Sequence, residues 1–418
     1  MKTKSNKEMK KYINIWIVIC FSHALAWGQT PEVLFTEALK ANKTIKSLEQ
    51  QYLASLTRAD QVGQMPDPQL GIGGFPLPVE TRLGAQQLRL SATQMLPWFG
   101  TLQSKEGLAH ASTELNQLEI NSYQWELLYQ IRLAWFKLYE SRRARQIIAK
   151  NLEVLQSLKT LTEAKVTAGE ASLADVLRVG LKIQELNQEM KILANQEKIP
   201  RIEINQLLQR PLDEPIRISD ELSFAEIPFQ KDTLLGHIQR NHPEIQILAA
   251  RQNIAQKAIE VNEKSGKPLL GVGLDYIMLS PRSDAMPEKN GQDIVQLKAT
   301  VSLPLFRDKY IAKEQEEQFR IHALDNQKEE MLSRYVSKVE QAFATHENAQ
   351  LMLELYQQQL ETLNSTLQIL QTDYSNSNRN FEELLRLEGE KIGYELKMLK
   401  AVVLSHLAGV EMGRYVRF

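Results

Sequence analysis

Two stretches, LRLSATQMLPWFG (residues 88–100) and LKATVSLPLFRD (residues 297–308), are built on one plan. In the first, Leu88, Leu90 and Ala92 alternate with Arg89, Ser91 and Thr93. In the second, Val295, Leu297, Ala299, Val301 and Leu303 alternate with Gln296, Lys298, Thr300 and Ser302. A period of two puts apolar side chains on one face of a strand and polar ones on the other. Each run then meets a proline, Pro97 or Pro304, which suits a strand exit or a first helical turn, where a missing N–H costs little. Alternation over about nine or ten residues is what a membrane-spanning barrel strand shows. An ordinary half-buried strand of a soluble sheet shows it too.

The plan extends beyond these two stretches. DPQLGIGGF from Asp67 is echoed by KPLLGVGLDY from Lys267, and GEASLADVLRV from Gly169 by SNRNFEELLRL from Ser377. Leu270, Val272, Leu274, Tyr276 and Met278 form a further one-sided row, with Gly271, Gly273 and Asp275 opposite. The offsets are 200 residues from Gly71 to Gly271, 207 from Pro97 to Pro304 and 208 from Asp175 to Glu383. Landmarks in one order at a near-constant offset indicate a duplicated unit, far longer than a solenoid repeat. Pro211, Pro215 and Pro228 mark the boundary.

Long helices fill the rest. Phe99 to Thr167 holds no proline and only Gly100 and Gly107, and would reach roughly 100 Å if unbroken. Leu353, Tyr356, Leu360, Leu363, Leu367, Leu370 and Tyr374 are spaced alternately three and four apart, a heptad seam. Leu108, Ala111, Leu115, Leu118 and Trp125 repeat that register. Each helix ends at a tight break. At Thr167–Ser172, Gly169 can close one helix and Ser172 can cap the next; Ser375–Asn380 is again turn and cap chemistry. A seam on both sides of a short break predicts an antiparallel helical hairpin.

Composition narrows the functions available. Of 418 residues, 50 are Lys or Arg and 51 Asp or Glu, a net charge of -1 that argues against a nucleic-acid binder. A mean hydropathy of -0.34 excludes a polytopic helical membrane protein. One cysteine excludes an internal disulfide framework and a Cys-based zinc cluster. The N-terminus reads as a secretory leader, residues 1–28: Lys2, Lys4, Lys7, Lys10 and Lys11, then the apolar run Ile13–Ala26, then small residues. Ile19 is not the small residue that lipid attachment at Cys20 would want. Removing the leader deletes five Lys and one Glu and takes the net charge from -1 to -5.

The chain divides accordingly. After the leader come a first repeat at 29–210, a linker at 211–230 and a second repeat at 231–418. The first repeat holds strands about 68–75 and 87–95 and a hairpin about 98–209 turning near 167–173. The second holds strands about 269–278 and 294–303 and a hairpin about 305–412 turning near 374–381.

Leader, duplicated halves, paired alternating strands, Leu96-Pro97-Trp98-Phe99-Gly100 echoed by Leu303-Pro304-Leu305-Phe306, and the Gly169-x-x-Ser172-x-x-Asp175-Val176-Leu177 turn together resemble the TolC-like outer-membrane efflux family. The resemblance spans essentially the whole mature chain, and around Pro66-Asp67-Pro68 it is to the branch serving heavy-metal pumps. It implies a mostly α fold with a small β part. Long coiled-coil hairpins would form a periplasmic barrel, and four strands per subunit would join a shared twelve-strand transmembrane β-barrel of a homotrimer. Segments 76–86 and 279–293 would be outer loops. It further implies passive conduction through the outer membrane, a periplasmic adaptor and a proton-driven inner-membrane pump as partners, and no cofactor.

The gate would lie near residues 165–180 and 373–388. Asp175 matches the family's acidic position there and Glu383 is its counterpart. In a trimer each becomes a ring of carboxylates, favouring cations. Arg178 and Arg386 follow at i+3, so each pair can equally neutralise itself on a solvated face. Gly169, Ser172, Ser377 and Asn380 sit where the family's adaptor contacts fall, although Ser377, Asn380 and Glu383 replace the Gly, Ser and Asp of the first turn. His110, His237, His242, His322, His346 and His406 show no metal-ligand spacing, so no metal site is expected and the cargo stays open between metal ions and small molecules. With no Gly-x-Ser-x-Gly, P-loop or dinucleotide fingerprint, the chain does not read as an enzyme. The alternative is a periplasmic adaptor or coiled-coil scaffold, although an adaptor would have one hairpin and many strands.

Overall fold

The computed structural model describes residues 28–218, 221–227, 236, 238, 240–377 and 380–416. All but the last residue of the expected leader lies outside them, as do parts of the 211–230 linker and the turn residues Asn378 and Arg379. The chain is mostly helical with one small antiparallel sheet. In order, its elements are α1 (Pro31–Ala41), α2 (Lys43–Val62), β1 (Gln69–Gly74), β2 (Glu80–Thr81), β3 (Gly84–Leu96), α3 (Thr101–Thr167), α4 (Leu173–Gln196) and α5 (Lys198–Leu207). They continue with α6 (Pro243–Ser265), β4 (Leu269–Ser280), β5 (Ile294–Ser302), α7 (Asp308–Ser377) and α8 (Phe381–Tyr415).

Two compact units share these elements, each assembled from both halves of the sequence. One draws on the chain up to Ile45, on Tyr123–His242 and on everything from Ser333; the other on Lys46–Ser122 and Pro243–Leu332.

The second unit carries the sheet, in the order β1-β3-β4-β5 with β2 paired to β3. Its register aligns the alternation of all four long strands. Ile72, Leu90, Tyr276 and Val295 stand in one row, and Leu70, Ala92, Leu274 and Leu297 in the next. Most of this apolar face is exposed, Leu70 at 81%, Ile72 at 79% and Leu297 at 84%. The opposite face carries the row Gly71, Ser91, Asp275 and Gln296. Toward the loop end that face turns apolar, with Ile277 and Leu279 buried.

Helix starts follow local chemistry. Pro31 opens α1 behind Thr30, whose hydroxyl accepts from Val33 N–H at 3.4 Å. Asn42 interrupts α1 and restarts α2: its side-chain oxygen accepts from Thr44 and Ile45 N–H at 2.9 and 3.2 Å. In the first unit α3, α4, α7 and α8 pack around Ile148, Leu155, Val179, Leu186, Leu363, Leu367, Leu384 and Leu387. The leucine seam of α7 is buried or half-buried throughout, while Leu351, Leu355 and Ile369 beside it are exposed.

Three features depart from the sequence reading. Helices α1, α2 and α6 precede the strands of each half and lie outside the hairpins placed from the sequence, although α2 carries an apolar row, Ile45, Leu48, Tyr52 and Ala59, at helical spacing. The segment 76–86, expected to be loop, holds β2 and the start of β3, with Glu80 paired to Ala85 and Thr81 to Gly84. The first hairpin's return limb breaks at Glu197, beyond which Pro200 sits in the first turn of α5.

Candidate functional site

The two helix turns lie in the same compact unit, and their details differ. Helix α3 ends at Thr167, and Gly169 takes φ +75°, a left-handed conformation that a side chain would strain. Glu170 N–H then reaches back to Lys165 C=O at 2.8 Å. Ser172 starts α4 as a cap, its hydroxyl accepting from Ala174 N–H at 3.1 Å. In the second turn Asn380 takes the left-handed position, φ 66°, and makes no side-chain cap bond. The cap chemistry read there from the sequence is therefore absent at Asn380, and its turn chemistry is present. Ser377 is the last residue of α7.

The charged residues fall into two groups. Asp175, in the first turn of α4, accepts from Arg178 at 3.2 Å, and Arg178 also lies 3.9 Å from Glu382. Arg178 thus ties the first hairpin to the second through Glu382, not Glu383. Glu383 pairs with Arg386 at 2.6 Å, and Arg386 also bonds Glu390. The Arg386 guanidinium holds the Glu383 carboxyl below the usual carboxylate range. Each acid is therefore matched locally by an arginine. Counting Glu382 and Glu390, the two groups together carry four carboxylates against two guanidinium groups.

Between the hairpins lies a contact that the sequence did not single out. Tyr374 is 1% exposed, and its hydroxyl donates to Thr162 Oγ1 at 3.1 Å. Lys165 Nζ sits 5.1 Å from the Tyr374 ring centroid and donates to Ser375 C=O at 3.2 Å. Phe381, the first residue of α8, packs on the same ring at 5.1 Å. Burial pushes the Tyr374 hydroxyl above its ordinary pKa, and the nearby Asp175 charge pushes in the same direction. Tyr374 ends the leucine seam. A tyrosine at a core position needs a partner for its hydroxyl, and that was the available signal.

Farther along the hairpins, Glu197 receives Arg142 at 2.7 Å and Arg145 at 2.6 Å, fixing the break between α4 and α5 against α3. Among the described residues no three His, Cys, Asp or Glu side chains gather as a metal site. No described helix is long and apolar enough to cross a membrane.

No protein-family model and no curated protein sequence matches the chain. Solved structures do. CusC, described in terms of conformational changes accompanying folding and transmembrane channel formation, superposes with a TM-score of 0.74 at 14% identity, covering 93% of this chain and 92% of that one. The Campylobacter jejuni CmeC outer membrane channel gives 0.72 at 10% identity, covering 92% and 85%. The open state of the Neisseria gonorrhoeae MtrE outer membrane channel gives 0.72 at 15% identity, covering 92% and 89%. These neighbours are channels and not enzymes. The chain has their fold over nearly its whole length, and the TolC-like likeness read from the strand and turn motifs holds for the fold.

Proposed function

We propose that this chain is the outer-membrane duct of a tripartite efflux system, conducting solutes passively from a periplasmic adaptor and an inner-membrane pump to the exterior. The observation that carries it is the sheet. Four strands align an exposed apolar face against a polar one, as a barrel wall between lipid and water would. Phe99 and Phe306, both 85% exposed, follow the two strand exits as interfacial aromatics would. Outer strands β1 and β5 leave edges that hydrocarbon does not tolerate unpaired, and three copies pairing edge to edge would close a twelve-strand barrel.

In this reading the helix turns are the periplasmic gate. Asp175 and Glu383 are the entrance acids, with Arg178 and Arg386 as their partners, and Gly169, Ser172, Ser377 and Asn380 form the adaptor-facing surface. Two hairpins and a single small sheet count against the alternative of an adaptor or scaffold.

Membrane fractionation of the full-length protein tests the proposal. The expected result is recovery with outer-membrane markers as a detergent-stable oligomer that conducts ions in planar bilayers. Recovery with inner-membrane or soluble material would overturn it and favour the adaptor.

A further inference from the structure

Strands β1, β3, β4 and β5 together carry only three charged side chains, and all three meet at one point on the polar face. They are Arg89 on β3, Asp275 on β4 and Lys298 on β5. Asp275 pairs with Ser91 on one side and Gln296 on the other, so each cation stands two residues along its own strand and reaches across diagonally. Arg89 bonds Asp275 Oδ2 directly, and Lys298 Nζ lies 3.7 Å from Oδ1.

The lysine's path is built into the sheet. A Cβ on Gly273 would stand 3.2 Å from Lys298 Cε and 3.0 Å from Ala92 C=O and Thr93 Oγ1, so a side chain there would crowd the lysine's stem. Exposure then decides what a passing solute meets. The Asp275 side chain is 0% exposed, whereas the Arg89 and Lys298 side chains keep 40% and 33%. The carboxylate is roofed by its two partners, its Oδ1 has no hydrogen bond, and each cluster presents one net positive charge.

Resting on the reading of the chain as an outer-membrane duct, we infer that Arg89, Asp275 and Lys298 form a specificity-determining cluster on the barrel's inner wall. It favours small anions and the anionic groups of larger solutes over cations. Three copies make a ring of three net positive charges, opposite in sign to the acidic surplus at the helix turns. A wall of one sign raises the local concentration of counter-charged solute within a Debye length, about 8 Å at physiological salt. A clamp that merely held strand register would act on assembly alone.

The test is the reversal potential of full-length channels in planar bilayers across a potassium chloride gradient. Lys298→Gln leaves a neutral Arg89–Asp275 pair and should lower the anion-to-cation permeability ratio by roughly twofold. Lys298→Arg should keep the wild-type ratio. Asp275→Asn, which uncovers both cations, should raise the ratio wherever it assembles. Lys298→Gln channels of normal conductance and unchanged ratio would overturn the inference and leave the cluster a register clamp. A wild-type protein that inserts no channels would overturn the duct reading itself, and this inference with it.

Discussion

At the scale of single residues, Tyr374 and Glu197 hold the hairpins by opposite means. Tyr374 is a core side chain with one polar tip, and that tip has one partner, Thr162 Oγ1. Tyr374→Phe keeps the ring against Phe381 and Lys165 and deletes the bond, at a cost of about 1 kcal/mol. Amide exchange near the turn should quicken about fivefold. Thr162→Val should add little once Tyr374 is already Phe, because both changes delete the same contact; additive effects in the double variant would mean the two groups act separately. Glu197 is an ion held by two arginines. Burial pushes its carboxyl upward from 4.5, and hydrogen bonds from Arg142 and Arg145 outweigh burial, so the net shift is downward. A depressed folded pKa contributes stability that is complete above the unfolded value and fades as pH falls through the folded one. Glu197→Gln should therefore cost about 2 kcal/mol at pH 7 and progressively less below about pH 4.5. Thermal melts of both proteins across that range check it; a deficit constant with pH would show that packing, not charge, is what the glutamine loses.

At the scale of elements, strands were legible wherever polar and apolar residues alternate strictly, and faint where glycine dilutes the pattern. Val295–Ser302 and Leu269–Ser280 alternate cleanly, whereas Gln69–Gly74 holds three glycines in six residues. Helices α1, α2 and α6 lie outside the long hairpins, yet α2 carries a readable stripe, Ile45, Leu48, Tyr52 and Ala59, that is buried or half-buried in the fold. The turns were legible as turns. Their cross-hairpin partners were not, since Lys165, Thr162 and Tyr374 become neighbours only after both hairpins fold. Ser172 separates capping from docking. Ser172→Ala should lose about 1 kcal/mol, while Ser172→Asp keeps a capping oxygen. If the hydroxyl serves only the cap, Ser172→Asp should support normal efflux in cells; lost efflux with normal amounts of folded protein would assign the surface to adaptor docking. On the sheet, Leu297 and Thr300 point to opposite faces, because Thr300 lies over Gly271. Leu297→Arg should impair insertion by roughly 2–4 kcal/mol and Thr300→Arg should not. Equal outer-membrane yields of the two variants would reverse the facing of the sheet.

At the scale of the whole molecule, the twofold repeat in sequence and the division into compact units do not coincide. Each unit takes residues from both halves, so neither half contains a complete sheet or a complete hairpin core. Strand β3 pairs with β4 across the boundary between repeats, and Arg178 reaches Glu382 across the same boundary. A half-chain would expose both new edges at once, whereas the intact chain leaves β1 and β5 as open edges. In the proposed duct those edges set the assembly. Four strands are too few to close around a lumen, and a four-strand sheet with an exposed apolar face and two free edges would aggregate unless copies of itself completed it. The full-length protein in detergent should therefore run as a single trimeric species by light scattering, and proline placed on β5 at Leu297, where backbone pairing must continue, should abolish it. Proline at Ala285, an exposed residue in the loop between β4 and β5, leaves the edge intact and should not. A monodisperse monomer of the wild-type chain would mean that the sheet closes by some other route, and would remove the physical basis for a shared barrel.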